Sequence, residues 1–373
     1  MKSLLVVAGE SSGDDWGGPV LACLRAPAWG IGGPSLVAAG MDSLAPLPNV
    51  MGFSAVARRL PHFLGLRSLL RRELERRSPA AALLIGFSDF NARLAAHLRK
   101  LAIRTLWLAP PQVWAWRQGR APKLASRVDL MATLFDFEVD VWRRTGGAAV
   151  HVGHPAGLID PGCRGRAREA LRFEAGDRGL ILLPGSRSQE VHRHARTMLE
   201  AGTRLRAAGK VTRIVLSLCR SLPASLARRV ASLCTNAATE VIPGPAGPYL
   251  SAFDVAICCS GTATLECAAA YVPPVIVYDA GPATRLVATH LLSVPFVGLP
   301  NLLLGQRGFP ELLGTEVRPA ALAAAAEHLL HHRVPALLAC KAVRAQLTPR
   351  HSPTLRGNTP SARVASLLEP WLD

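Results

Sequence analysis

The sequence predicts an α/β protein with two doubly wound domains, and three observations lead to that prediction. The chain has 373 residues, which is more than one hydrophobic core usually organises. Short apolar runs, most of them without alternation of polar and apolar residues, are separated by stretches with helical periodicity, as in parallel sheets covered on both faces. The pattern restarts after the Gly- and Arg-rich segment Asp160–Arg178.

The predicted strands fall into one group before that segment and one group after it. We expect a first domain over residues 1–170 and a second over residues 171–344. Ligands would bind in a cleft that faces the carboxyl ends of the strands. The predicted strands are Leu4–Ala8, Ala82–Ile85, Thr105–Leu108, Leu130–Leu134, Leu180–Leu183, Arg213–Leu218, Val255–Cys259, Val275–Tyr278 and Phe296–Gly298.

The composition excludes some classes of protein and leaves others open. With 49% hydrophobic and 18% charged residues, the chain can bury large cores and is not a disordered tail. Its 43 Lys and Arg against 26 Asp and Glu give a net charge of +17. Such an excess indicates an anionic partner, which could be nucleic acid, an anionic membrane surface or a phosphorylated substrate.

Cysteine usage and hydropathy indicate a cytoplasmic protein. The eight cysteines form no CxxC pair and no cluster with zinc-finger spacing, so we expect reduced thiols and no structural metal. The apolar start of the chain is too short for a secretory signal. No apolar run reaches the roughly 20 residues of a spanning helix, so any contact with a membrane would be at its surface.

The Gly-rich turn after Leu4–Ala8 is the first candidate site. Such a turn can present backbone N–H groups and a helix N-terminus to an anion or a sugar. The alternative is an ordinary turn with a Ser or Asp as helix N-cap. The candidate residues are Glu10, Ser12, Gly13 and Asp14.

Asp89 lies four residues after the end of the predicted strand Ala82–Ile85. A carboxylate at the carboxyl end of a parallel strand faces the ligand-binding edge, where low dielectric suits it to general-base work. The alternative is an N-cap for a helix that begins at Asn91.

Two of the seven tryptophans, Trp114 and Trp116, lie one residue apart after the strand Thr105–Leu108, next to Gln112. Indole rings can stack on sugars or line an apolar pocket. The alternative is a pair of core aromatics.

Three candidate anion sites lie in the second half. Ser186 and Arg187 follow the strand Leu180–Leu183, where a turn, a hydroxyl and a guanidinium can together hold a diphosphate. A similar turn and an amide follow Val255–Cys259 and Phe296–Gly298. Their candidate residues are Ser260, Gly261, Thr262, Glu266 and Asn301. No DxD pair is present for a metal-dependent glycosyl transfer, so no metal ligands and no cofactor are assigned.

The segment Arg58–Arg77 carries seven Arg against two Glu, together with Leu and Phe at roughly helical spacing. It predicts a helix on an anionic membrane surface, and the alternative is a core-packed helix with a solvated basic face. The candidate membrane-facing residues are Arg58, Arg59, Phe63, Leu64, Arg67, Leu69, Leu70, Arg71 and Arg72.

Taken together, the motifs resemble those of the lipid-A-disaccharide synthase family. The matching stretches follow the family's order along most of the chain. They are AGESSGD (8–14), GIGGPSLVAAGMDSL (30–44), VMGFSAV (50–56), SDFN (88–91), PQVWAW (111–116), VGHP (152–155), LPGSRSQEV (183–191), SGTATLECA (260–268) and LPNLLLG (299–305).

The resemblance implies a GT-B fold of two Rossmann-like lobes with an interlobe cleft, in which a C-terminal helix, residues 345–373, packs back on the first lobe. It implies an inverting, metal-independent transfer from UDP-2,3-diacylglucosamine to the 6-hydroxyl of 2,3-diacylglucosamine 1-phosphate. The products would be a β-1,6-linked disaccharide and UDP. The enzyme would act at the inner face of the bacterial inner membrane and contact anionic lipids. Whether the enzyme forms a homodimer stays open.

By motif position, Asp89 would be the general base. The turn at 10–14 would shape the acceptor side, together with Gln112 and Trp114. The candidates of the second half would contact UDP. The chain departs from the family pattern between Leu24 and Gly30, where it is shorter than usual and leaves little room for a full strand. It also departs at Asp136, where Pro is usual, and at Gln306-Arg307, where Arg-Glu is usual.

Two other functions stay open beside this one. A UDP-sugar epimerase or a peptidoglycan-precursor transferase would share the fold but not the SDFN and PQVWAW motifs. A nucleic-acid-binding protein would agree with the charge. No RRM, KH, zinc or helix-turn-helix signature is present, however, so we expect no nucleic-acid partner.

Overall fold

The computed structural model describes residues 2–47, 60–220, 222–279, 295–349 and 355–373, with residues 60–63 described by their backbone alone. The chain forms two compact units. The first comprises Met1–Pro155 and Leu347–Asp373, and the second comprises Ala156–Gln346.

The first unit is built on a seven-stranded parallel sheet in the order β3-β2-β1-β4-β5-β6-β7. Its central strands are apolar and buried along nearly their whole length, since helices cover both faces. The chain order reverses between the neighbours β1 and β4. The strands are β1 (Leu4–Ala8), β2 (Ala28–Ile31), β3 (Asp42–Ala45), β4 (Ala81–Ile85), β5 (Arg104–Leu108), β6 (Leu130–Thr133) and β7 (Ala149–His151).

The helices of the first unit bury their apolar side chains against this sheet. Trp107 on β5 and Trp142 on a covering helix are completely buried in the same cluster. The helices are α1 (Ser11–Ala22), α2 (Pro34–Ala38), α3 (Leu60–Arg77), α4 (Ser88–Lys100), α5 (Ala121–Ala125), α6 (Asp136–Arg144) and, from the C-terminal segment, α14 (Pro360–Leu372). Helix α14 is tied to the sheet side by Arg363, whose Nη1 donates to the carbonyl of Val152 at 3.0 Å.

The second unit repeats the plan with six parallel strands in the order β10-β9-β8-β11-β12-β13. Its chain order reverses between β8 and β11. The strands are β8 (Gly179–Leu183), β9 (Arg213–Leu218), β10 (Glu240–Pro243), β11 (Val255–Cys259), β12 (Pro274–Tyr278) and β13 (Glu311–Leu313).

The helices of the second unit enclose two apolar clusters, one on each face of the sheet. Helix α8 shows the pattern clearly, with Val191, Ala195, Met198 and Leu205 buried at helical spacing. The helices are α7 (Arg164–Ala170), α8 (Ser188–Ala207), α9 (Ala224–Asn236), α10 (Thr262–Ala269), α11 (Leu299–Leu304), α12 (Pro319–His331) and α13 (Arg333–Gln346).

The second unit begins before the boundary that we predicted at residue 170. Helix α7 belongs to it because Arg164 donates to the carbonyls of Ser251 and Phe253 and pairs with Asp254 at 2.9 Å. This Gly- and Arg-rich segment therefore contacts the second unit just before β11.

The strands differ from the sequence prediction at two places, and the predicted strand Phe296–Gly298 is wrong. The short stretch before Gly30 does hold a strand, β2, because Gly30 at φ +149° lets the backbone approach β1, where a Cβ would lie 1.9 Å from the carbonyl oxygen of Val6. Residues 296–298 form no strand. Their backbone N–H groups at Val297 and Gly298 donate to the Glu311 carboxylate at 3.0 Å.

No helix within the described ranges combines the length and the apolar character that crossing a bilayer requires.

Candidate active site

The loops after β1, β4, β5 and β6 all emerge at the carboxyl ends of the first sheet, which we call the first-sheet edge. The loops after β8 and β11 emerge likewise at the carboxyl ends of the second sheet, which we call the second-sheet edge. Because the chain order reverses in both sheets, each edge has the crevice in which doubly wound folds bind ligands.

At the first-sheet edge, Asp14 is a structural residue. Its buried carboxylate accepts from the backbone N–H groups of Gly33 at 2.8 Å, Ser35 at 2.9 Å and Leu36 at 3.1 Å. Both oxygens are therefore committed to the start of α2, and the prediction that Asp14 faces an acceptor is wrong. Its negative charge stabilises this helix N-terminus.

The other residues of the turn after β1 lie around the start of α1. Glu10 is half-buried at the N-cap position, and the Ser12 side chain is exposed in the first helical turn. Gly13 is buried against β4, where a Cβ would lie 3.3 Å from the Ile85 side chain. The glycine therefore allows close packing of helix on strand, while Glu10 and Ser12 border the edge.

Asp89 lies in the first turn of α4, after Phe87, which has the left-handed φ of +49°. Its side chain is 72% exposed, and Arg120 Nη2 donates to its Oδ1 at 2.7 Å. The described residues therefore do not enclose Asp89 in the low-dielectric surroundings that we predicted. The N-cap alternative is also wrong, since the helix begins at Ser88.

Asn91 stabilises the turn that precedes Asp89. It is completely buried, and its Nδ2 donates to the carbonyl of Gly86 at 3.0 Å. The amide thus fixes the turn between β4 and α4 on which Asp89 lies. The sequence motif contained Asn91, but we assigned it no role there.

Residues Pro110–Arg120, which we call the Trp loop, follow β5. Trp114 is half-buried, and its Nε1 donates to Glu138 Oε1 at 2.9 Å. Gln112 is exposed, and the guanidinium of Arg117 lies over the Trp116 ring at 4.3 Å. Since its N–H group is taken by Glu138, Trp114 offers a ligand its ring and not its donor.

Glu138 is a residue of this edge that the sequence reasoning missed. It is 3% exposed, and its Oε2 accepts from the backbone N–H groups of Leu134 and Phe135 at 3.2 Å. Burial raises its pKa to about 7, against the hydrogen bonds from Trp114 and the backbone, which lower it. The available signal was its place just after β6, at the same carboxyl edge as the other candidates.

Stacked rings continue from Trp114 along the first-sheet edge. Phe137 lies edge-on to Trp114 at 5.0 Å, Phe135 stacks on Phe137 at 5.9 Å and His154 stacks on Phe135 at 5.6 Å. Burial lowers the pKa of His154 to about 4, so this imidazole is neutral near pH 7. Glu138 therefore contacts this aromatic row through the Trp114 indole and the Phe135 backbone, and His154 joins it through the Phe135 ring.

At the second-sheet edge, the turn after β8 binds the carboxylate of Glu190. Glu190 Oε2 accepts from the backbone N–H groups of Ser186 at 3.1 Å and Arg187 at 3.3 Å, and Arg187 Nη1 donates to Glu190 Oε1 at 2.7 Å. Gly185, at φ +122°, makes room for it, because a Cβ there would lie 2.4 Å from Glu190. These donors can bind a diphosphate in place of a carboxylate.

The turn after β11 lies on the neighbouring strand. Gly261 has φ +150°, and the Thr264 hydroxyl donates to its carbonyl at 2.7 Å. The Ser260 hydroxyl donates to the carbonyl of Val297 at 3.1 Å. Thr262 and Glu266 are half-buried on α10, where burial raises the pKa of Glu266.

Asn301 is a structural residue, and the prediction that its amide contacts the donor is wrong. It is completely buried. Its Nδ2 donates to the carbonyl of Phe309 and to Glu311, and its Oδ1 accepts from the N–H groups of Gly308 and Phe309, all at 2.8–2.9 Å. Asn301 thus fixes the loop that carries Gln306 and Arg307, whose side chains are exposed.

The basic helix α3 has one face in the core and one in solvent. Leu66, Leu70 and Leu74 are buried in the core of the first unit, so the prediction that Leu70 faces a membrane is wrong. Leu64, Arg67, Arg71 and Arg72 are exposed, and Leu69 is half-buried. Arg58, Arg59 and the side chain of Phe63 lie outside the described residues.

Within the part of the chain that the structure describes, no group of three or more His, Cys, Asp or Glu side chains is arranged to hold a metal ion.

Comparison with known proteins identifies relatives along nearly the whole chain. The model of the family described as lipid-A-disaccharide synthetase matches residues 4–350. A lipid-A-disaccharide synthase of Anaeromyxobacter sp. (strain K) is 37% identical over 355 residues, covering 92% of this chain and 93% of that protein. Another, of Thiobacillus denitrificans, is 35% identical over 380 residues and covers 99% of both chains.

Solved structures with low sequence identity share the fold. A Staphylococcus aureus MnaA–UDP structure has a TM-score of 0.64 at 12% identity, covering 97% of this chain and 94% of that one. A Neisseria meningitidis UDP-GlcNAc 2-epimerase bound to UDP-GlcNAc has a TM-score of 0.61 at 12% identity, covering 99% and 98%. These similarities concern the fold alone, and they confirm the predicted GT-B class with two parallel sheets.

Proposed function

The chain belongs to the lipid-A-disaccharide synthetase family of glycosyltransferases, and on that premise we propose that it joins two acylated glucosamines. The donor is UDP-2,3-diacylglucosamine and the acceptor is 2,3-diacylglucosamine 1-phosphate. The observation that carries the proposal is the family match over residues 4–350. The site geometry supports it with a carboxylate at the first-sheet edge and anion-binding turns at the second.

Asp89 is the proposed general base. Oδ2 of its exposed side chain takes the proton of the acceptor's 6-hydroxyl as the hydroxyl oxygen bonds to the anomeric carbon of the donor. The bond from the anomeric carbon to the diphosphate breaks, and UDP leaves with the electron pair. Attack opposite the leaving group inverts the configuration and yields the β-1,6 link.

Negative charge develops on the leaving UDP, and the second-sheet edge is suited to stabilise it. Arg187 supplies a guanidinium, and the Gly261 turn supplies backbone N–H groups at the start of α10. Glu266, half-buried on the same helix, is the proposed acceptor for the ribose hydroxyls. These groups allow a reaction that does not depend on a metal ion.

The purified full-length protein tests this proposal. With both acylated sugars and excess EDTA, it should form the disaccharide 1-phosphate and an equal amount of UDP, identified by mass spectrometry. UDP release that proceeds equally without the acceptor would instead favour another UDP-sugar enzyme of this fold. Failure to form the disaccharide with acceptors and donors of every acyl-chain length would reject the proposal.

We also propose that α3 contacts the inner face of the bacterial inner membrane. The exposed Leu64 and the exposed arginines of α3 lie outside the apolar core that Leu66, Leu70 and Leu74 enter. Exposed Arg side chains attract anionic lipid headgroups, and each adjacent cation contributes about 1 kcal/mol near such a surface.

Vesicle flotation tests this contact. Changing Arg67, Arg71 and Arg72 to Gln should abolish flotation with anionic vesicles. The matched control changes Arg204, Arg228 and Arg229, exposed on α8 and α9, and should leave it unchanged. Equal loss in both variants would show a nonspecific charge effect, and equal binding to neutral vesicles would contradict an electrostatic contact.

A further inference from the structure

Two carboxylates hold the Trp loop, one on each side. Buried Glu138 accepts from Trp114 Nε1 at 2.9 Å, near the middle of the loop. Exposed Asp89 accepts from Arg120 Nη2 at 2.7 Å, at its end. One loop thus connects the proposed base to a buried carboxyl group with no assigned role.

The connection between these two attachments is short and hydrogen-bonded. Gln118 Nε2 donates to the carbonyl oxygen of Trp114 at 3.2 Å, and Arg120 follows two residues later in the same 3₁₀ turn. Gln118 therefore links the backbone of Trp114 to the segment from which Arg120 reaches Asp89.

The Glu138 carboxylate is built into its place by three elements. The end of β6 and the start of α6 supply backbone N–H groups to Oε2, and the Trp loop supplies the indole N–H group to Oε1. A buried carboxylate without hydrogen-bond donors would cost free energy, so Glu138 restrains each of the groups that donate to it. Glu138 therefore fixes the position of the Trp114 ring.

We propose that Glu138 is a positioning residue for the acceptor reaction. It holds Trp114, and through the Trp loop it holds Arg120 on Asp89 Oδ1, so that Oδ2 is presented to the acceptor hydroxyl. The proposal rests on the proposed function, since it assigns Asp89 as the base. Glu138 itself contacts no reacting atom.

The charge of Glu138 varies near neutral pH, because burial raises its pKa to about 7. The groups that face it are the indole N–H of Trp114 and the backbone N–H groups of Leu134 and Phe135. Nearby on β7, His151 Nε2 contacts the carbonyl of Leu134, and Asp136 of α6 lies 3.8 Å from His151 Nδ1. The ionised form accepts the indole hydrogen bond more strongly, so the loop should be held more firmly above pH 7.

The experiment compares Glu138→Gln, Trp114→Phe and the double variant with wild type. The control is Asp140→Asn, an equal charge change at an exposed position of the same helix. Each single change should lower kcat/KM for the acceptor about tenfold, as expected for one charge-assisted hydrogen bond. The double variant should be no slower than Trp114→Phe alone, because Glu138→Gln weakens and Trp114→Phe removes the same hydrogen bond.

Three readouts separate positioning from a general loss of structure. UDP affinity, which depends on the second unit, should stay within about twofold of wild type. The acceptor kcat/KM of wild type should rise through pH 7, and that of Glu138→Gln should lack this step. Amide hydrogen exchange of residues 110–120 should quicken in both single variants and stay unchanged in Asp140→Asn.

An additive double variant, about a hundredfold slower, would overturn the proposal, as would unchanged exchange in the Trp loop. The exchange measurement needs no substrate, so it separates this inference from the proposed function. A wild-type protein that forms no disaccharide rejects the function, whereas faster exchange without any kinetic effect rejects only the role of Glu138 in the reaction.

Discussion

Each sheet edge pairs a carboxylate with an arginine, and the two pairs have opposite roles. At the second-sheet edge, Arg187 is the group proposed to act on substrate, and Glu190 holds it within one turn of α8. At the first-sheet edge, Asp89 is the group proposed to act, and Arg120 holds it from another element 31 residues away. The Arg187–Glu190 pair is set by local helix geometry, while the Asp89–Arg120 pair depends on how the first turn of α4 packs against the Trp loop. Substitutions at distant residues should therefore disturb the first-sheet edge more than the second-sheet edge.

The largest expected effect concerns the carboxylate at the first-sheet edge. Asp89→Asn should lower kcat for disaccharide formation at least about a hundredfold, because the amide cannot take the acceptor proton. UDP affinity measured by calorimetry should not change, since the donor groups lie in the second unit. Near-normal turnover of Asp89→Asn would exclude Asp89 as the general base, and the proposed difference between the two sheet edges would no longer hold.

The buried carboxyl group gives the next effect, on stability. The folded-state pKa of Glu138 is raised from 4.5 to about 7, so the folded state keeps a proton that the unfolded state releases between these values. The free energy of unfolding should therefore fall as pH rises from 4.5 to 7 and stay reduced above it, by about 3 kcal/mol for a shift of this size. Glu138→Gln should lack this decrease.

The measurement can follow one unit alone. All seven tryptophans lie in the first unit, and all three tyrosines, Tyr249, Tyr271 and Tyr278, lie in the second. Denaturant unfolding followed by tryptophan fluorescence at pH 5 and pH 8 therefore reports the unit that contains Glu138. An equal pH dependence in wild type and Glu138→Gln would contradict the assigned pKa.

The arginine at the second-sheet edge should have a smaller effect. Arg187→Gln should weaken UDP binding about tenfold, the loss expected for one charge-assisted hydrogen bond. Arg196→Gln is the matched control, since Arg196 lies on the same helix and pairs with Glu200 one turn away. A loss below about threefold for Arg187→Gln, or the same loss in both variants, would count against a diphosphate contact.

The smallest effect concerns the residue that holds the base. Arg120→Lys keeps the charge but loses the guanidinium geometry, so kcat should fall about threefold with little change in the donor KM. Arg99→Lys, at the other end of α4 where Arg99 pairs with Asp129, should be neutral. If Arg120→Lys and Arg99→Lys behave alike, Asp89 does not depend on its partner, and the contrast between the two edges weakens.

Much of the fold and part of the site could be predicted from local pattern. Buried parallel strands are continuous apolar runs, so β1, β4, β8 and β11 could be read directly. The turns after them were visible because Gly and Ser follow each run, with an Asp as well after β1 and β4. The short strand β2 was missed because only contact with β1 makes its geometry favourable.

The roles of individual polar residues could not be predicted in the same way. Asp14 and Asn301 lie in motifs that suggested ligand contacts. Their side-chain oxygens instead accept hydrogen bonds from the backbone N–H groups of Gly33 and Phe309. Leu70 lies in a basic amphipathic helix, yet it packs in the core. In each case the sequence shows the residue type, while the partner comes from a segment elsewhere in the chain.

The sequence by itself determined the fold class, the position of the candidate turns at strand ends and the family, because these depend on apolar periodicity and on motifs read along the chain. Only the tertiary structure decided which side chains are available for chemistry. It left Asp89 exposed beside Arg120, and it buried Glu138 with three donors. The reason is physical: exposure, hydrogen-bond partners and the pKa of a carboxyl group depend on which groups folding brings near it.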